Sequence, residues 1–142
     1  MNEPNGAAPV KSEARVPISS GADIVTARLE GRQLASQAGF NGSDLTVIAT
    51  AISEVARNIV EYARKGEITL CIIQEDNKRG LRVEARDAGP GIPNIGLAMQ
   101  DGYSTGRGLG LGLPGTRRLM DDFTIHSKVG EGTLVVATKW IR

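Results

Sequence analysis

Nine of the 18 glycines in this chain fall between Gly89 and Gly115, and that crowding constrains the fold more than any other feature. Glycine belongs where a backbone must bend sharply or let something approach closely. Leu, Met and Pro interrupt the run, so it lacks the composition of a flexible linker. Its densest part is Gly102-Tyr103-Ser104-Thr105-Gly106-Arg107-Gly108-Leu109-Gly110-Leu111-Gly112-Leu113-Pro114-Gly115. Alternating glycines that lead into a predicted helix bring exposed N–H groups and a helix N-terminus to one spot, which favours phosphate. A mobile loop without a ligand is the competing reading, and the weaker one. No Gly-Lys-Ser/Thr ending follows, so this is not a P-loop, and Gly-x-Gly-x-x-Gly is not satisfied in register. The glycine density also suits a lid that rearranges on binding, expected over Asp101 to Pro114.

Two further segments carry possible chemistry. In Ala51 to Ala63, Glu54, Asn58 and Glu61 are spaced i, i+4, i+7 and line one narrow face of a helix. Ile48, Ile52, Val55, Ile59 and Ala63 lie on the broad opposite side and should pack on a sheet. Such a stripe often does no more than face water. Asparagine, however, is a poor choice in mid-helix, and its side-chain oxygen is a suitable hard ligand for Mg²⁺. The second segment is Asp87-Ala88-Gly89-Pro90-Gly91-Ile92, after a predicted strand. A carboxylate there can accept a hydrogen bond from an amine such as the adenine N6, and glycines let a flat base reach the backbone. Taken alone, the hexapeptide is equally an ordinary Asp-x-Gly turn.

The rest of the chain supplies one scaffold. A length of 142 residues is that of a single domain. Residues 1–14 are expected to be a disordered tail, and 15–142 the domain. An edge strand that tolerates Pro17 begins at Arg15. A helix over Asp23–Ala38 closes at Gly39, and a longer one runs from an N-cap at Ser43 to about Ala63. Strands over Glu67–Gln74 and Leu81–Asp87 flank a polar turn from Glu75 to Gly80, as an antiparallel hairpin. A short helix over Ile95–Met99, a helix opened by Pro114 and reaching about Asp122, and strands Phe123–Ser127 and Thr133–Trp140 complete the series. Helices and strands come in groups, which predicts an α/β two-layer sandwich with helices on one face of a mixed, largely antiparallel sheet.

Charge and composition narrow the partners. Lys and Arg number 17 against 16 Asp and Glu, a net charge of +1, so no general attraction to nucleic acid or membrane is expected. No apolar stretch nears the roughly 20 residues that span a bilayer, and no signal peptide is evident. A cytoplasmic location is expected. Cys71, the single cysteine, sits in an apolar strand-like run and is expected to be a buried thiol. His126, the single histidine, has no helical dimerisation segment around it and is expected to be a structural or surface residue.

Taken in order, Glu54-x-x-x-Asn58, Asp87-x-Gly89-x-Gly91, the run from Gly106 to Gly112, and Gly132-Thr133 before a final strand resemble the four nucleotide-binding boxes of the GHKL ATPases. That superfamily, with its Bergerat fold, includes the histidine kinases. Glu-Val-Ala-Arg-Asn at 54–58, Asp-Gly-Tyr-Ser-Thr at 101–105 and Gly-Leu-Pro-Gly-Thr-Arg-Arg-Leu-Met-Asp at 112–121 narrow the resemblance to the small switch serine kinases of the anti-sigma-factor regulatory class. The resemblance implies a serine/threonine kinase that uses ATP and Mg²⁺ to phosphorylate STAS-domain scaffold or antagonist proteins of a stressosome. Once released, such a kinase switches on a downstream output protein, typically a PP2C-type phosphatase. By position, the resemblance makes Glu54 the general base and Asn58 the Mg²⁺ ligand. Asp87 would hold adenine, with Gly89 and Gly91 shaping the base pocket and Thr133 supporting that end. Gly106, Gly108, Gly110 and Gly112 would pack around the phosphates. Arg107 is either a γ-phosphate contact or a solvated lid cation, and the two readings weigh equally. The alternatives are an ATP-hydrolysing domain of the same superfamily, with Glu54 activating water, and a nucleotide-regulated binding module.

Overall fold

In the computed structural model, residues 12–92, 95–100 and 112–142 are described. β1 (Glu13–Ile18) leads into α1 (Gly21–Ala38) and α2 (Ser43–Tyr62); β2 (Gly66–Glu75) and β3 (Lys78–Asp87) follow. The chain then passes through α3 (Ile95–Ala98) and α4 (Gly112–Leu119) to β4 (Asp122–Lys128) and β5 (Gly132–Trp140).

The five strands form one sheet in the order β1-β2-β3-β5-β4. Every pairing is antiparallel, so the expected mixed, largely antiparallel sheet is in fact wholly antiparallel. β2–β3 and β4–β5 are hairpins, and β5 inserts beside β3 so that β4 becomes an edge. β3 and β4 run in the same direction, so the long connection from Asp87 to Asp122 leaves the sheet at one end and re-enters it at the other. β1 forms the other edge, where Pro17 costs no ladder bond to a further strand.

Alternation sorts the strands into two faces. Val16, Ile18, Ile68, Leu70, Leu81, Val83, Val135 and Ala137 point to the helices and are buried. α2 supplies Ile48, Ile52, Val55 and Ile59 to this core, each at most 2% exposed. Burying such a side chain stabilises by about 1.5–3 kcal/mol. Ala51, Ser53 and Ala56 are buried as well, because α1 and α4 pack along the flanks of α2. This is the expected two-layer sandwich.

The ends of the elements account for the differences from the sequence reading. α1 ends as expected at Gly39, whose φ of 116° lets its N–H reach the Ser36 carbonyl while Phe40 N–H reaches Ala35. α1 begins two residues earlier than expected. Asp23, in its first turn, accepts from the Ser19 N–H at 2.8 Å, and that bond holds its carboxyl below the usual range. Ser43 does not cap α2: it is the first helical residue, and Gly42 precedes it at φ 59°, a conformation serine avoids. The β2–β3 turn is shorter than expected, closing at Asp76 and Asn77, because Lys78 and Arg79 extend the ladder opposite Glu75 and Gln74. Polar residues at the exposed end of a hairpin pair as well as apolar ones do. α4 stops at Leu119, three residues short of expectation, and β1 starts at Glu13. Cys71 is only half-buried, on the face of the sheet away from the helices.

Candidate active site

α2 carries two of the expected site residues. The Glu54 side chain is only 10% exposed, which removes the reading of a solvated helix face for this residue. Asn58, one turn on, is half-buried, while Glu61 is exposed. The stripe therefore passes from enclosed to open along its length.

Both oxygens of Glu54 are engaged. Arg57 Nη1 donates to Oε2 at 2.7 Å, and the Gly112 N–H donates to Oε1 at 3.0 Å. Gly112 opens α4, so the carboxylate sits at the N-terminus of that helix, where a negative charge is stabilised. α4 is held there by Leu113, Pro114, Gly115 and Thr116, all buried, and the Thr116 hydroxyl donates back to the Gly112 carbonyl at 3.0 Å. Pro114 lies in the first turn, where no N–H is needed.

The other end of the site forms where β3 finishes. Asp87 pairs with Gly66 on one side and Thr133 on the other. Its Oδ1 accepts from the Gly89 N–H at 2.9 Å, which fixes the carboxylate and turns the chain. Gly89 lies against the end of α2, where a Cβ would stand 2.6 Å from the Ala63 Cβ. Gly91 meets the Lys128 carbonyl across the β4–β5 hairpin. Gly132 has φ 114°, and a side chain there would overlap the Asp87 carbonyl. The hairpin and the loop after β3 are thus pressed together, with Gly130 N–H donating to the Pro90 carbonyl at 2.9 Å.

At the end of β3 and the β4–β5 hairpin lies a cleft of about 390 Å³, lined by Asp87, Ile95, Ile125, Ser127 and Thr133 and by the charged Arg86, Lys128 and Glu131 among others. That volume is within the range of small-molecule sites, roughly 300–1,000 Å³. Isoleucines flank an acceptor and two hydroxyls, as a flat heteroaromatic base requires. Ser127 was missed by sequence reasoning. It accepts from the Ile92 N–H at 2.7 Å and shares a hydrogen bond with Thr133 at 2.8 Å. Its signal was a polar residue in phase with Phe123 and Ile125, on the side of β4 that faces the helices. Arg57 was likewise visible only as a motif letter, until the turn of α2 brought it onto Glu54.

The structure thus brings Asp87, Gly89, Gly91 and Thr133 together at one end of the cleft. Separately, it brings Glu54 to Gly112 at the start of α4, outside the lining of that cleft. From Glu54 to Ala63, α2 spans about 14 Å, with Asn58 between the ends. Gly106, Arg107, Gly108 and Gly110, with residues 101–111 of the lid expected over Asp101 to Pro114, lie outside the described residues; Gly112 to Pro114 belong to α4. His126 lies on β4 facing away from the helices, opposite Leu134. Among the described residues, no group of three or more His, Cys, Asp or Glu could hold a metal ion. A single amide oxygen from Asn58 fits Mg²⁺ that is otherwise held by phosphate oxygens and water.

A helix bearing an acid and an amide, a β3-end aspartate in a glycine turn, and a one-sided antiparallel sandwich define an ATPase domain of the kinase type. The chain belongs to the family described as "Histidine kinase-like ATPase domain", which matches residues 19–139. It is 52% identical over 120 residues to the "Serine/threonine-protein kinase RsbT" of Bacillus subtilis, covering 84% of this chain and 90% of that one. It is 33% identical over 104 residues to an "Anti-sigma F factor" of Caldanaerobacter subterraneus subsp. tengcongensis, covering 69% and 71%. Among solved structures, the "Mycobacterial sensor histidine kinase MprB" superposes with a TM-score of 0.54 at 16% identity, over 89% of this chain and 97% of that one. That likeness concerns the fold. No helix among the described residues is long and apolar enough to cross a membrane.

Proposed function

We propose that this chain, an ATP-dependent serine/threonine protein kinase like its Bacillus relative, phosphorylates STAS-domain proteins of a cytoplasmic stressosome and then, once released, switches on an output enzyme such as a PP2C-type phosphatase. The contact between Glu54 and the Gly112 N–H carries the kinase reading. It joins a largely enclosed carboxylate to a helix N-terminus that closes a glycine-rich run. Acid and anion site are therefore neighbours, as transfer from a nucleotide γ-phosphate requires.

In this mechanism Asp87 accepts from the adenine amine, its carboxylate fixed by the Gly89 turn that packs on the end of α2. The phosphates take the N–H groups at the start of α4, displacing the Glu54 oxygen that Gly112 now holds. Glu54 then accepts the proton of the incoming serine hydroxyl as the serine oxygen bonds to the γ-phosphorus and the bond to ADP breaks. Arg57 keeps the second carboxylate oxygen fixed throughout. Asn58 would hold Mg²⁺, which supplies charge neutralisation to the phosphates when bound. A donor set of one amide oxygen supports that assignment.

Incubation with γ-labelled ATP and purified STAS proteins tests the reading. Label is expected on a serine or threonine of the STAS protein. Free phosphate released at the same rate with and without that protein would instead make the chain an ATP-hydrolysing domain.

A further inference from the structure

We infer that Ser127 is a positioning residue for base recognition: it turns the Thr133 hydroxyl outward so that Thr133 donates to the ring-nitrogen acceptor beside the base's exocyclic amine. The inference rests on the nucleotide reading of the cleft and goes beyond it, because Ser127 acts through Thr133.

The argument is a count of protons. Ser127 Oγ accepts the Ile92 N–H at 2.7 Å. Its own single proton has two acceptors in reach, the Gly132 carbonyl at 3.1 Å and Thr133 Oγ1 at 2.8 Å. A hydroxyl has one donor and two acceptor sites, so only two arrangements satisfy the pair. In the first, Thr133 donates to Ser127 and Ser127 donates to Gly132, leaving no proton facing the cleft. In the second, Ser127 donates to Thr133, and the Thr133 proton is free to point outward.

The ligand selects between them. Asp87 is directly opposite Thr133 in the β3–β5 register, so the two side chains share one face of the sheet. An ionised carboxylate only accepts, and it therefore takes the amine. The neighbouring ring nitrogen of adenine also only accepts, and it needs a donor. Thr133 is 7% exposed and lines the cleft; in the second arrangement it is that donor. Two hydroxyl rotations thus convert a closed pair into a matched donor–acceptor edge, and no proton leaves its oxygen. Ser127 also ties the loop carrying Ile92 to the β4–β5 hairpin, so base and loop are read by one oxygen.

The test compares the affinities of ATP and 1-deaza-ATP, which keeps the amine but replaces the ring nitrogen with C–H. Wild type should prefer ATP by about tenfold, the worth of one satisfied buried hydrogen bond. In Ser127→Ala the Thr133 hydroxyl is free to turn away, and the preference should fall below about threefold. Ser127→Thr retains a hydroxyl and should restore it. Equal weakening of both nucleotides in Ser127→Ala, with the preference intact, would make the residue a structural tie and overturn the inference. So would unchanged binding of both. Wild type that binds the two equally would also overturn it while leaving the nucleotide site standing. Only failure to bind either would count against the site itself.

Discussion

Glu54 is held by two donors of different kind, and the difference sets what each can do. Arg57 reaches it from one turn along the same helix, at 2.7 Å, with its own side chain 39% exposed. A half-exposed pair of this kind adds little to stability, roughly 0–1 kcal/mol, but a planar guanidinium orients a carboxylate well. The Gly112 N–H comes from another element and can be taken over by a phosphate oxygen. Glu54→Gln keeps the size of the side chain and an oxygen for Gly112 but removes the proton acceptor. ATP affinity should survive, and serine phosphorylation measured in a single turnover should fall by about 10²–10⁴-fold. Asn58→Ala should lower affinity and transfer together, because a residue that orients the phosphates through Mg²⁺ serves both. Wild-type transfer by Glu54→Gln would end its role as base.

At the scale of elements, the site depends on how tightly the β4–β5 hairpin meets the end of β3. Gly130 and Gly132 separate two costs. Both have positive φ, 84° and 114°, but a Cβ on Gly130 meets nothing within 4 Å, whereas one on Gly132 would overlap the Asp87 carbonyl. Gly130→Ala should cost only the backbone term, about 1–2 kcal/mol. Gly132→Ala should cost distinctly more in urea unfolding and also weaken ATP binding, since the strand end carrying Asp87 must shift. Equal losses would mean that the hairpin relaxes freely and does not shape the site.

The same elements divide what the sequence discloses from what it conceals. Helix and strand identity was legible because apolar residues repeat with the right period: Ile48, Ile52, Val55 and Ile59 on α2, and Ile68 and Leu70 against Val83 and Ala85 across the hairpin. Asp87, Gly89, Gly91 and Thr133 were legible as local motifs, and the fold does gather them. Element ends were less legible. The Gly42 entry to α2 is a backbone conformation that a neighbouring serine imitates in sequence, and the charged end of β3 has no apolar pattern to mark it. Long-range pairing was not legible at all. Nothing in the sequence says that Ser127 meets Ile92, 35 residues away, or that Glu54 meets Gly112, 58 residues away.

Across the whole molecule, the helices cover one face of the sheet, and the cleft opens at the end of β3 and the β4–β5 hairpin. A nucleotide with its base there and its phosphates at Asn58 and the start of α4, as proposed, would join parts otherwise connected mainly through the core: α2, α4, the end of β3 and the β4–β5 hairpin. Binding should therefore stabilise the domain as one unit rather than a single loop. A ligand that binds only the folded state at 100 times its Kd adds about 2.7 kcal/mol. For a domain of this size that corresponds to a rise in Tm of roughly 5–10 °C. Mg-ATP should give such a shift as one cooperative transition. Asp87→Asn exchanges an acceptor for a group that can present a donor to the adenine amine, so its shift at the same ATP concentration should shrink. Its melting temperature without nucleotide reports separately on the bond to Gly89, which the amide oxygen accepts more weakly than a carboxylate does. A full shift in Asp87→Asn would remove Asp87 from base recognition, whereas a shift confined to a partial transition would show that the nucleotide orders one segment and leaves the sandwich as it was.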